Sequence, residues 1–484
     1  MLKRLFANPV TPRLLGAFTL WILSATLIFP HLDYPRAIVF DETYFIPTTQ
    51  KYLHGIFFLE PHPPLAKLLI ALGQKWYSPH QPANEFLTVE KIDRDWSADT
   101  DITGYRVMSA MFGTLVAPTV FLVLGILLGR ALPAFALALP VAFDNALIVQ
   151  SRAGLQDSFL LFFCFAAVLN FAIVNRKLDW SFRALGVLSA LWGILSASAG
   201  GVKLTGLFVV GLAGFYGLRL LWARQIRRAI VFGLVFGAML AATYLSYWAI
   251  HFSIARQIIG TQDYGITEEH RQILNGEKTV DPFTRFVIQM QDAVAYQHRY
   301  EAGVPRLDLS KPDEIGSPWY VWPLGGRAIN YRWETPDGQG YRYIYLMGNP
   351  VTWLVSLLGV VFATALVLVD WLLRILPAER RHWLYAFVLL YWAYMIPMMF
   401  IERVMYLYHY FPPLVTGVIL FALAGRQAQT ISLNVKRIAL VGLVVLVIIA
   451  FWHYKPLTYY ELITGPEFRQ RILFPVWDLR CVGC

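Results

Sequence analysis

Apolar residues in this chain come in runs of about twenty separated by short polar turns, the length a helix needs to cross a hydrocarbon layer of roughly 30 Å. The runs predict spans at about residues 14–30, 105–128, 131–149, 157–175, 182–199, 203–222, 228–250, 349–373, 383–400, 408–425 and 435–452. With about eleven such spans, the pattern predicts an all-α polytopic membrane protein. Two stretches, 31–104 and 251–347, are too long and too polar to be turns. Within the first, 40–54 and 64–77 mix apolar and polar positions at helical spacing, as helices lying along an interface do.

The turns alternate in charge. One set holds Lys3, Arg4 and Arg13, then Arg130, then Arg176, Lys177 and Arg183, then Arg219 to Arg228, Arg374 to Arg381, and Arg426 to Arg437. By the positive-inside rule this set is cytoplasmic, which puts the N-terminus inside and the C-terminus outside. The expected organisation is a transmembrane module over 1–250 with a first outer loop at 31–104, an extracytoplasmic cap at 251–347, C-terminal helices at 348–455 and an extracytoplasmic tail at 456–484. The first span begins with basic residues, as a signal peptide does. No small-residue cleavage site follows it, only Phe29-Pro30-His31-Leu32, so it reads as a retained anchor.

Composition narrows the class. The residues are 57% hydrophobic and 15% charged, against roughly a quarter charged in soluble domains. The formal charge of +10 lies in the scattered clusters above rather than in a patch, so nucleic acid is not an expected partner. Cys164 lies in an apolar run, and Cys481 with Cys484 forms a lone C-x-x-C that reads as an incidental or disulfide-forming tail rather than a metal or redox site.

Ionisable residues gather at the expected outer ends of the spans. Phe40-Asp41-Glu42 follows the first span, and Glu60-Pro61-His62-Pro63-Pro64-Leu65-Ala66-Lys67 follows it; an acidic stretch runs through Asp93, Asp95, Asp99 and Asp101. Arg106 opens the second span, Asp144 lies near the outer end of the third, Arg152 and Asp157 occupy the turn into the fourth, Lys203 opens the sixth, and Glu402 and Arg403 fill the turn after the ninth, with His409 following. Charges at membrane depth cost about 3 kcal/mol each on insertion scales and mark functional interiors. Cations such as Arg106, Arg152, Lys203 and Arg403 suit a phosphate or pyrophosphate, and a carboxylate among them suits proton abstraction from a hydroxyl. The combination points to group transfer from a lipid-linked phosphate. The plainer readings are that Asp144 with Arg152, and Asp157 with Lys203, are ion pairs locking helices, that Arg106 is an interfacial anchor, and that His409 is a hydrogen-bonded interface residue.

The same blocks resemble those of the protein O-mannosyltransferases, a family of GT-C-type multi-span enzymes that use polyprenyl-phosphate mannose. Phe40-Asp41-Glu42 resembles the family's acidic pair, and His62-Pro63-Pro64-Leu65-Ala66-Lys67 its H-P-P-L-G-K, with Ala66 in place of Gly. Arg106 to Gly113 is similar to R-L-x-S-A-x-F-G, and Ala142 to Asp157 to A-L-D…Q-S-R…D. Gly201 to Gly206 is similar to G-x-K-x-T-G, Ser317 to Leu324 to S-x-P-W-x-W-P-L, and Leu407 to Tyr410 to L-Y-H-Y. The resemblance implies a GT-C-type fold and an inverting transfer of mannose or a related hexose to Ser or Thr hydroxyls. It implies Asp41 as the base with Glu42 in support, and Arg106, Arg152, Lys203 and Arg403 on the donor phosphate. His62, Lys67, Asp144, Asp157, Glu402, His409, Trp319 and Trp322 would support the site. No cofactor and no metal are expected, although His62 beside the carboxylates is a conceivable ligand. The implied partners are a polyprenyl-phosphate sugar, a protein acceptor and membrane lipids. The short outer loop implies a bacterial form in the cytoplasmic membrane. A lipid or glycan acceptor, as in aminoarabinose transferases, and a transporter or flippase are the competing readings; sugar, acceptor and oligomeric state stay open.

Overall fold

Runs this apolar fold as helices because no water is present in hydrocarbon to satisfy an open backbone. The computed structural model describes residues 10–77, 86–92 and 101–482 except 261, 263, 339, 429 and 431. Lys3, Arg4, Asp93, Asp95, Asp99 and Cys484 lie outside the described residues. The first apolar run is α1 (Val10–Ile28), and the two expected interfacial segments are α2 (Glu42–His54) and α3 (Leu65–Tyr77). Next come α4 (Thr103–Leu128), α5 (Ala131–Ala142), α6 (Asn145–Arg152), α7 (Asp157–Val174), α8 (Phe182–Val202), α9 (Val210–Trp222) and α10 (Ile226–Ile254). The segment before the C-terminal helices holds α11 (Glu268–Leu274), α12 (Pro282–Gly303) and two strands, β1 (Ile329–Glu334) and β2 (Tyr341–Leu346). Then follow α13 (Pro350–Leu373), α14 (Ala378–Met398), α15 (Phe411–Gln427), α16 (Leu433–Tyr459), β3 (Leu462–Ile463) and α17 (Gly465–Arg469).

Among the described residues, nine helices are long and apolar enough to cross a membrane, or ten if one bent pair counts as a span. The protein is therefore an integral membrane protein of all-α type. Helix α14 fills the expected 383–400 run but starts on the charged Glu379-Arg380-Arg381-His382 and lies outside that group.

The third expected span is corrected: it is not one helix but α5 and α6, bent by 61°. Asp144 causes the break. Its backbone is extended, and its carboxylate accepts the Leu147 N–H at 3.0 Å as the N-cap of α6. The other oxygen accepts the Asn349 N–H at 3.0 Å and the Trp353 indole at 3.1 Å, tying the break to the start of α13. A capped start inside a span is satisfied by tertiary partners instead of water.

Small residues set the helix contacts. A Cβ on Gly359 of α13 would lie 2.1 Å from the Gly417 carbonyl of α15, so the two backbones touch only because both positions lack one. A sheet in the order β1-β2-β3 joins the segment before α13 to the chain's end. At Tyr331 the β1–β2 register slips: Asn330 faces Tyr345 while Arg332 faces the next residue, Ile344. That bulge lies against the site described next.

Candidate active site

Asp41 and Glu42 are adjacent in sequence and opposite in circumstance. Glu42 is fully buried. Its oxygens accept the Arg106 Nε–H at 2.7 Å and Nη2–H at 2.8 Å, and also the backbone N–H of Val39 and of Gly154, each at 2.8 Å. The remaining Arg106 donors reach the carbonyls of Leu32, Pro35 and Ala37 at 2.9–3.1 Å. Every guanidinium N–H is thus committed, and the pair clamps the 32–42 turn onto α4. A buried pair of this kind costs about 3–5 kcal/mol when one partner is removed.

Asp41 precedes the first turn of α2 and makes no side-chain cap bond. Its carboxylate is half-buried and opens into a cavity of about 480 Å³ lined also by Lys51, Glu60, His62, Lys67, Lys203 and Arg403. Burial raises Asp41 to about 6, with Lys203 pulling it down and Asp157 pushing it up. Burial and the nearby Lys67 and Lys203 hold His62 well below the ordinary histidine range, so it is neutral.

Three elements deliver Lys203, Lys67 and Arg403. Lys203 caps the end of α8, and its Nζ lies 2.6 Å from Asp157 Oδ1 and over the Tyr408 ring at 4.9 Å. Lys67, in the first turn of α3, is 2.6 Å from Glu60, whose other oxygen accepts from Thr48 at 2.7 Å. Arg403, in the turn after α14, pairs with Glu301 of α12 at 2.7 Å. His409 lines the same wall, stacked between Tyr408 and Trp322 at 4.7 and 6.1 Å.

The remaining expected residues lie elsewhere. Arg152 does not line the cavity. It donates to the carbonyls of Ile28, Pro30 and His31 at 2.7–2.9 Å and lies over the Tyr459 ring at 4.8 Å. Of the two arginines expected on the donor phosphate, Arg106 is taken up entirely by Glu42 and backbone carbonyls and Arg152 is held by backbone carbonyls, and both line a smaller cavity of about 20 Å³ rather than the one at Asp41. The Asp144–Arg152 ion pair is not formed, because the capping bonds described above take Asp144 instead. Asp157–Lys203 does form. Glu402 pairs with Arg306 at 2.9 Å on the surface. Trp322 is buried, donating to Ser317 Oγ at 2.8 Å, and acts on the cavity only through His409; Trp319 packs against the core beside it. Among the described residues no group of three or more His, Cys, Asp or Glu is placed to hold a metal ion, so His62 has no co-ligands there.

Residues 18–256 match the family model described as dolichyl-phosphate-mannose-protein mannosyltransferase, and residues 293–477 match that of the C-terminal four-TMM region of protein-O-mannosyltransferase. The chain belongs to the protein O-mannosyltransferase family. Protein O-mannosyltransferase 1 of Drosophila melanogaster is 31% identical over 54% of this chain and 30% of its own length. The mouse protein O-mannosyl-transferase 1 is 30% identical over 66% of this chain and 40% of its own. The chain thus spans well under half the length of these relatives. The fold is that of the solved S. cerevisiae protein O-mannosyltransferase Pmt1-Pmt2 complex bound to the sugar donor. That match has a TM-score of 0.83 and 16% identity over 97% of this chain and 93% of that one.

Several cavity residues of this family member carry no sequence signal of their own. Tyr264, Tyr296 and Tyr300 line the same cavity, and Lys51 donates to the Tyr264 hydroxyl at 2.8 Å. Tyr296 and Tyr300 stand one turn apart on α12, the only hint of a shared face. In a segment rich in tyrosine that hint does not separate wall from surface.

Proposed function

We propose that this protein is an inverting glycosyltransferase that moves mannose, or a related hexose, from a polyprenyl-phosphate carrier to Ser or Thr hydroxyls of secreted or membrane proteins. The observation that carries the reading is Asp41: a carboxylate without a hydrogen bond among the described residues, raised to about 6 and open to a cavity lined by Lys203, Lys67 and Arg403. A base poised near the working pH takes a proton most effectively.

In the reaction, the acceptor hydroxyl gives its proton to Asp41 as its oxygen forms a bond to the anomeric carbon. The bond from that carbon to the phosphate oxygen breaks on the opposite face, which inverts the centre and needs no covalent enzyme intermediate. The departing phosphate carries the electron pair, and Lys203 and Arg403 meet its charge. Neutral His62 lies beside His409 in the wall and offers hydrogen bonds without adding charge.

The site lies among the connections that alternate with the basic turns, which supports an extracytoplasmic site and a cytoplasmic N-terminus. A bacterial cytoplasmic membrane is the setting we assign. The test is transfer by reconstituted enzyme from polyprenyl-phosphate mannose to a Ser/Thr peptide. Asp41→Asn is expected to lose about 100- to 10,000-fold in rate; near-normal transfer would remove Asp41 as the base.

A further inference from the structure

Phe40, immediately before Asp41, has a φ of +49°, a left-handed conformation that a bulky residue adopts only when its surroundings hold it there. What holds it is Tyr331. The two rings stack at 4.1 Å with planes 5° apart, while Tyr406 and Tyr408 meet Phe40 edge-on at 6.3 and 6.1 Å. Tyr331 stands at the β1 bulge, the extra residue between Asn330 and Arg332. Bulges re-aim a side chain beside functional sites. The next residue, Arg332, reaches the Ile38 carbonyl at 3.4 Å, a second tie from the same strand to the same turn.

The Tyr331 hydroxyl points the other way, toward α6 and α7. It donates to Gln150 Oε1 at 2.7 Å; Gln150 Nε2 donates to Asp157 Oδ2 at 2.6 Å; and Asp157 Oδ1 holds Lys203 at 2.6 Å. Tyr331 and Gln150 are both buried. The order of the chain is fixed: a reversed Gln150 amide would set its carbonyl oxygen against the Asp157 carboxylate. Burial and the charges of Asp41 and Asp157 keep the Tyr331 phenol protonated, so it stays a donor.

We infer that Tyr331 is a positioning residue for the transfer reaction, its ring fixing Asp41 through Phe40 and its hydroxyl fixing Lys203 through Gln150 and Asp157. One side chain from the strand segment thereby sets the spacing between the base and a cation on the leaving phosphate. This rests on the reading of Asp41 and Lys203 given above. Neither Tyr331 nor Gln150 lines the cavity, so each acts through another residue.

The groups that face Asp41 are Lys203 from α8, Asp157 from α7, Lys67 from α3 and Lys91 from the loop after it. Substitutions at Tyr331 leave all four in the chain. Wild type, Tyr331→Phe, Gln150→Leu, the double variant and Tyr331→Ala are compared in transfer from polyprenyl-phosphate mannose to a Ser/Thr peptide. Tyr331→Phe keeps the stack and loses the hydroxyl: kcat is expected to fall about tenfold, one good hydrogen bond's worth, with the acid limb of the pH profile unmoved. Gln150→Leu is expected to fall alike, and the double variant no further than the worse single, because both cut one chain. Tyr331→Ala also admits water beside Asp41, so its acid limb is expected to move below about 6.

Wild-type kcat in both Tyr331→Phe and Gln150→Leu overturns the inference, as does full additivity in the double. Should Tyr331→Ala not fold, the two conservative variants still decide. Transfer by Asp41→Asn at the wild-type rate would instead overturn the assignment of the base, whatever Tyr331 does.

Discussion

Asp41 and Glu42 share a turn, a charge and a residue class, yet they belong to two different regions. On the Glu42 side, Arg106 and Arg152 have their donors turned to a carboxylate and to the carbonyls of residues 28–37. On the Asp41 side the carboxylate has no hydrogen bond among the described residues, and the cations border open volume. Saturation, more than charge, separates framework from site. A guanidinium with every donor used has nothing to offer a ligand, whereas Lys203, paired among the described residues with Asp157, keeps donors to spare.

The largest expected effects cross over. Glu42→Gln leaves the Arg106 charge buried without its counterion, at a cost of about 3–5 kcal/mol. It should appear as a large drop in thermal stability in detergent, or as failure to accumulate. Asp41→Asn should do the reverse, cutting transfer by about 100- to 10,000-fold while leaving stability intact or higher at neutral pH. The sign follows from linkage. A carboxyl raised from 3.8 to about 6 by folding contributes its full stabilisation below 3.8 and loses it as pH rises through about 6. The stability gain of the Asn variant should therefore shrink as pH is lowered through 6. Equal destabilisation by both variants would erase the distinction between the two regions.

A second crossing, smaller in size, sets Arg106→Lys against Lys203→Gln. Lysine cannot reproduce a fork with five donors, so Arg106→Lys should lower the melting temperature by several degrees and leave donor KM nearly unchanged in the folded fraction. Lys203→Gln should raise donor KM and shift the acid limb of transfer above about 6, because the cation that most lowers Asp41 is gone. An acid limb that stays in place would mean that Lys203 does not face the base.

Much of this was legible in the chain. Apolar run length located the candidate spans, with α5 and α6 read as one, and helical spacing located α2 and α3. The ordered blocks from Phe40-Asp41-Glu42 to Leu407-Tyr408-His409-Tyr410 pointed to the family. Three things were not legible, each for a physical reason. Averaging hydropathy over a span's length hides a helix break, although Asp144 before Asn145 is a good capping residue. An arginine at the mouth of an apolar run looks the same whether carbonyls or a cavity await it, so Arg106 and Arg152 were indistinguishable from Lys203. Tyr331 and Gln150 act through contacts 181 positions apart, made by a bulge that no local pattern encodes.

The smallest effect sharpens the edge of the cavity region. Arg403 and Glu301 form an ion pair whose side chains are 25% and 46% exposed, so water and salt already weaken it. Exposed pairs contribute about 0–1 kcal/mol, and Arg403→Gln should scarcely change stability. Arg403 also lines the cavity, where the donor's phosphodiester anion brings charge that Glu301 does not match. The variant should therefore raise donor KM only a few-fold at low ionic strength, with the difference closing as salt is added. Lys203, buried beneath the Tyr408 ring, should show a KM effect that salt leaves in place. If the two variants respond to salt alike, the depth ordering of the cations within the cavity is wrong, and Lys203 has no special claim on the phosphate.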